Sequence, residues 1–302
     1  MKKIVVFLTM FLSVVSVYAQ GDLHIYTVDN KDGKITPLMI QKAFTKNGFT
    51  IGINSDIHDG LTKKYGKSGF KIYNAISLYH DTISMRLLKE QADAGVFVPM
   101  GLAVYQKENE TSLHVSVVTA QTQEKILGTE SRLFKELEHR INALIKQVLP
   151  KAKHTYSQNS LKETRTLLTK YSKNLAGADW EDSKDELEEA FEEKFDEVGF
   201  VMPSYFDFTD NLGKESPYDF YVTYSICKID VIRAVSQVRP EAAAFAPCTT
   251  MIYKKTNEDK IVMGFSSVYN WMSSANIKDK ASRKALMKAQ TDFEAVLKAV
   301  TK

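Results

Sequence analysis

Apolar residues along the chain recur at two spacings, and the same succession of spacings runs twice. Behind Thr36-Pro37, a cap followed by proline at the first helical position, Met39, Ile40, Ala43 and Phe44 form a helical stripe that Gly48 ends. Phe49, Ile51 and Ile53 then fall on alternate positions, as do Ile72, Ile76 and Leu78, and each run predicts a strand. A short crossover helix over about 84–94 leads to a strand through Leu102 and Val104. A polar hairpin turn, Lys107-Glu-Asn-Glu110, feeds a strand over 113–117, and an amphipathic helix over about 130–148 follows.

The second pass opens on Ser183-Lys-Asp-Glu186, which has the form of a capping box. Leu187, Ala190, Phe191, Phe195 and Val198 give its stripe and Gly199 its stop. Phe220, Val222, Tyr224 and Ile226 predict a strand, and a helix over about 232–244 crosses to Thr250 and Ile252. The turn Lys255-Thr-Asn-Glu258, a strand over 261–265 and a helix over about 281–300 complete it.

Slid by 148 positions, residues 73–110 lie on 221–258 without a gap, and nine of the 38 columns are identical. Chance would give about two. The identities include Tyr73/Tyr221, Ser77/Ser225, Phe97/Phe245, Pro99/Pro247 and Tyr105/Tyr253. A period near 150 is too long for a solenoid and reads as two copies of one domain. The expected organisation is a first repeat over 20–149, a polar linker over 150–160 and a second repeat over 161–302. Each copy is expected to be a small α/β sandwich of class α+β, its antiparallel sheet covered by helices in the approximate order β-α-β-β-α-β-β-α. A leading strand fits 23–28. Its counterpart near 165–172 stays open, because Leu161, Leu168, Tyr171 and Leu175 also fit a helix.

The run from Phe220 through Tyr-Ser-Ile-Cys227, the crossover, and Ala-Phe-Ala-Pro247-Cys248-Thr-Thr-Met-Ile-Tyr253 resembles the domain-of-unknown-function 302 family. The first copy is similar through Gly48-Phe49 and Phe97-Val-Pro99-Met100, with Tyr79 and Met100 where the second copy has cysteines. The resemblance implies a small α+β fold, found singly or in tandem, and brings no catalytic residue with it.

Lys2 and Lys3, an apolar stretch over 4–17 and the small residues Val17 and Ala19 have the layout of a signal peptide over 1–19, cut between Ala19 and Gln20. An uncleaved anchor is the alternative. No later stretch is long and apolar enough for a membrane span. The expected product is a periplasmic or secreted protein of 283 residues, free of the membrane once the signal is removed. Forty basic against 37 acidic residues give +3, and +1 without the two signal lysines, which excludes nucleic-acid binding through bulk charge.

Phosphate-loop, dinucleotide, zinc-protease, nucleophile-elbow and Cys-x-x-Cys signatures are all absent, which disfavours an enzyme. No cofactor is expected. His24, His80 and His114 sit on or near strands and offer a converging metal site, against the simpler reading of strand-edge histidines. Ten acids over 181–197 read as a solvated helix face. The paired Tyr73, Ser77 and Tyr105, with Tyr221, Ser225 and Tyr253, fit cross-strand packing, a shared groove or a repeat–repeat interface. Cys227 closes one strand and Cys248 opens the next, which leaves a disulfide, free thiols or a redox or copper-type site open. The expected function is non-catalytic binding of a small ligand or periplasmic protein, through the sheet or the inter-repeat cleft. The alternative is thiol-redox or soft-metal binding by Cys227 and Cys248. The repeats are expected to form an intramolecular pseudo-dimer.

Overall fold

The computed structural model describes residues 21–162 and 165–302; the expected cut between Ala19 and Gln20 lies outside them. The first copy runs β1 (Leu23–Asp29), α1 (Pro37–Thr45), β2 (Phe49–Asp56), α2 (Ile57–Tyr65), β3 (Phe70–His80), α3 (Asp81–Glu90), β4 (Met100–Lys107), β5 (Ser112–Val118), α4 (Ala120–Leu127) and α5 (Arg132–Val148). A short strand, β6 (Lys153–Tyr156), follows. The second copy runs β7 (Leu168–Asn174), α6 (Trp180–Glu197), β8 (Val201–Asp207), α7 (Thr209–Leu212), β9 (Tyr218–Cys227), α8 (Ile229–Ser236), β10 (Cys248–Lys255), β11 (Lys260–Ser266), α9 (Tyr269–Ser274) and α10 (Lys280–Val300). A 3-10 segment precedes β4 (Ala92–Phe97) and β10 (Pro240–Phe245).

Every strand pair is antiparallel. The sheets run β2-β3-β4-β5-β1-β6 and β8-β9-β10-β11-β7, so one α+β fold is built twice, with one extra strand on the first sheet. Alternation gives each sheet two unlike faces. Ile76, Leu78, Leu102, Val104 and Val115 belong to the main core with Phe134, Leu137 and Ile141 of α5. In the second copy Phe265 meets Phe293 of α10, which meets Phe195 of α6, at 4.5 and 4.8 Å between ring centres.

The other face of each sheet carries small and hydroxyl-bearing residues. Register places Tyr73 opposite Tyr105, Ala75 opposite Ala103 and Ser77 opposite Gly101. Tyr221 likewise faces Tyr253, and Ser225 faces Thr249. Onto each such face comes the 3-10 segment of the other copy. Tyr221 Oη donates to the Ala92 carbonyl at 2.5 Å, and Tyr73 Oη donates to the Pro240 carbonyl at 3.2 Å. Ala92 and Pro240 are equivalent under the 148-residue shift, so the two bonds are the same bond made in both directions. A Cβ on Gly95 would lie 2.0 Å from Tyr221 Oη. Its counterpart, Ala243, keeps that methyl, and the Tyr73 bond is the longer of the two.

The structure corrects several sequence expectations. The open segment near 165–172 forms a strand, β7, because its register on β11 buries Thr169 against the sheet. The apparent capping box at Ser183 lies inside α6. Asp179 is the cap, and its carboxylate accepts from the Glu181 and Asp182 N–H groups. The segment expected to be a polar linker over 150–160 contains β6, paired to β1. Each crossover is an α-helix followed by a 3-10 segment, and helices α2, α4, α7 and α9 enlarge the expected element order.

Candidate functional site

The six paired residues come together at the junction of the copies. Tyr73, Tyr221, Ser77 and Ser225 are fully buried there and line no open groove. Tyr105 stacks on His114, with ring centres 4.9 Å apart, and Tyr253 stacks on Tyr221 at 5.4 Å. Burial pushes the phenols of Tyr73, Tyr105, Tyr221 and Tyr253 well above their ordinary range, so all four remain hydrogen-bond donors.

Beside Tyr253 the junction opens into a groove of about 530 Å³, a volume suited to a small molecule. One wall is Gln91, Ala92 and Asp93 of the first copy, and the other is Lys170, Lys255 and Lys260 on three neighbouring strands of the second. Lys170 reaches its place because Gly264, opposite it in register, has no side chain; a Cβ there would stand 2.9 Å from the lysine stem. Asp93 ties the walls together, accepting from Lys170 Nζ at 2.6 Å and from Tyr253 Oη at 3.3 Å. Glu258 pairs with Lys260 at 3.1 Å and Lys255 at 3.3 Å, and the hydrogen bond from Lys260 holds its carboxyl below the usual carboxylate range. Three lysines against Asp93 and Glu258 leave the lining one positive charge in excess.

Cys227 and Cys248 are free thiols on neighbouring strands. Cys248 faces Ile226, so Cys227 sits one residue out of register with it. Both touch a small apolar cavity of about 20 Å³. Burial pushes the Cys227 thiol up to about 12 and Cys248 higher still, which favours the protonated thiol in both.

His24, His80 and His114 do not converge. His80 Nδ1 caps α3, accepting from the Thr82 and Ile83 N–H groups. His114 pairs with Thr27 Oγ1 and stacks on Tyr105. His24 bonds to Glu138 and His154 instead. Among the described residues no group of three or more His, Cys, Asp or Glu side chains is placed to hold a metal ion.

Sequence reasoning missed the groove lysines, Asp93, Glu138 and His154. The lysines sit on three separate strands, and only the sheet order, with Lys170 on a strand that read equally as helix, brings them to one wall.

The family described as "Domain of unknown function DUF302" matches residues 26–148 and again residues 179–300. Among solved structures, that of an uncharacterized conserved protein DUF302 from Bacillus stearothermophilus is similar at 16% identity, covering 46% of this chain and 100% of that one, with a TM-score of 0.36. No curated protein matches.

Proposed function

This chain belongs to the DUF302 family, with two copies of the domain, and on that premise we propose that it is a non-catalytic exported module that binds a small anionic molecule in the groove between its copies. The observation carrying the reading is the groove itself, about 530 Å³, to which each copy contributes one wall and the second copy three lysines. Clustered ammonium groups recognise carboxylate or phosphate oxygens. We infer too that the copies act as an intramolecular pseudo-dimer, since neither wall alone makes the groove. The absence of catalytic signatures and the protonated state of the buried phenols and thiols support a binding role.

Titrating the full chain with inorganic phosphate and small dicarboxylates at low salt tests this. Binding is expected, and the double variant Lys255→Glu, Lys260→Glu should weaken it by about ten-fold or more. Equal binding by the variant, or no binding of either anion class, would refute the proposal. Export rests on the basic-apolar-small layout ending at Ala19. Protein recovered from outside the cytoplasm should have an intact mass beginning at Gln20; one beginning at Met1 would refute cleavage.

A further inference from the structure

The first copy also holds a chain of three titratable groups that the groove does not use. Glu138 Oε1, on α5, accepts from the Ala120 N–H at 2.8 Å and lies 2.8 Å from His24 Nε2. His24 Nδ1 in turn lies 2.9 Å from His154 Nε2 on β6. The imidazole centres are 5.1 Å apart with 30° between their planes, so the rings meet nearly end to end. That collinear gap is shaped to hold a shared proton. A metal ion would need both lone pairs to converge on a third point.

The proton positions follow from the carboxylate. Burial acts to raise Glu138, but the hydrogen bonds from His24 and the Ala120 N–H outweigh it and hold the group below its usual range. An ionised Glu138 requires a hydrogen on His24 Nε2, which leaves Nδ1 of the neutral ring as an acceptor, and His154 then supplies Nε2–H. One added proton is accommodated without movement: it enters at the free Nδ1 of His154, and the single proton already in the gap keeps one donor facing one acceptor. A second proton puts N–H groups on both sides of the 2.9 Å gap, and no acceptor remains.

The surroundings resist that second charge. Lys146 of α5 repels it, Asn142 stands 3.3 Å from His24 Nε2, and Tyr26 of β1 and Tyr156 of β6 close on the His154 ring at 4.6 and 5.0 Å. Glu138 is the one carboxylate in this set. We propose that Glu138, His24 and His154 form a proton-operated latch, which on taking its second proton releases β6 from β1. Beside the latch, β6 is held by its backbone ladder to β1 and by the Ser157 N–H on the Leu23 carbonyl. β6 is four residues long and lies at the sheet edge, with Tyr26 opposite His154 and His24 opposite Tyr156. Its release leaves β1 with an open edge, as its counterpart β7 already has.

Burial, His24 and Lys146 push His154 below its ordinary value. A lowered folded-state value means its contribution to stability is present above the unfolded value of about 6.5 and is lost as pH falls through the folded one. Amide exchange on the full chain, from about pH 7.5 to about 4.5 and corrected for intrinsic rates, reads this out. Opening of residues 153–156 and their β1 partners should rise by about ten-fold or more, while β9 and β10 keep their protection. His154→Gln keeps a donor but cannot take the proton, and should abolish the pH response. If that variant loses β6 at neutral pH, ring-nitrogen spectra of the wild-type His154 decide. Protonation coincident with strand release supports the latch. Release without protonation, a strand protected throughout, or an unchanged pH response in His154→Gln overturns it.

Discussion

Tyr221→Ala is expected to lower stability by about 3–5 kcal/mol, the range for deleting a large buried aromatic side chain. The ring is fully buried, stacks on Tyr253 at 5.4 Å and meets Tyr218 edge-on at 4.9 Å. Its hydroxyl also spans the two copies, donating to the Ala92 carbonyl. Tyr221→Phe separates the two contributions. It keeps the ring but removes the donor from a partly buried carbonyl, at about 0.5–1.5 kcal/mol. Urea unfolding of both variants checks the pair. A phenylalanine variant as stable as wild type would show that the cross-copy bond contributes nothing.

The second large effect comes from a single methyl group. Gly101→Ala would place a Cβ 2.1 Å from the Ala246 carbonyl oxygen and 2.6 Å from that of Ala244, both backbone atoms of the other copy. Gly101 lies within β4, so an alanine there suits the strand, and the clash is with the opposing segment alone. Backbone cannot rotate aside as a side-chain tip does. Overpacking of this kind costs about 1–3 kcal/mol, and occasionally more. The 3-10 segment over 240–245 should lift from the first sheet, which faster amide exchange in that segment would report. Unchanged exchange and stability would mean that the copies touch less closely than these distances state.

Both predictions concern a junction that was partly legible in the sequence. The 148-residue shift found the tyrosine and proline pairs because equivalent positions face equivalent surroundings, and a small-residue face on each sheet is what a neighbouring backbone needs. Most strands were legible because one buried face imposes alternation, but β8 carried no reading of its own and β7 fitted a helix as well. β6 was not legible: four residues, Lys-His-Thr-Tyr, carry no apolar rhythm, and they join the sheet through a short backbone ladder to β1 beside the contact of His154 with His24. The true cap of α6 was hidden because Ser183 with Glu186 imitates a capping box one turn inside the helix, where Ser183 donates to the Asp179 carbonyl. The cysteine strands prove to be neighbours, and the one-residue offset between Cys227 and Cys248 cannot be read from spacing. The groove was out of reach, since its lysines depend on the order β10-β11-β7 and on the missing side chain at Gly264.

Scanning calorimetry of the full chain tests the joined junction most directly. Copies linked by two equivalent tyrosine bonds and interlocked 3-10 segments should unfold as one cooperative unit, in a single transition whose calorimetric and van't Hoff enthalpies agree. Two separate transitions in the wild-type chain, one for each copy, would contradict it.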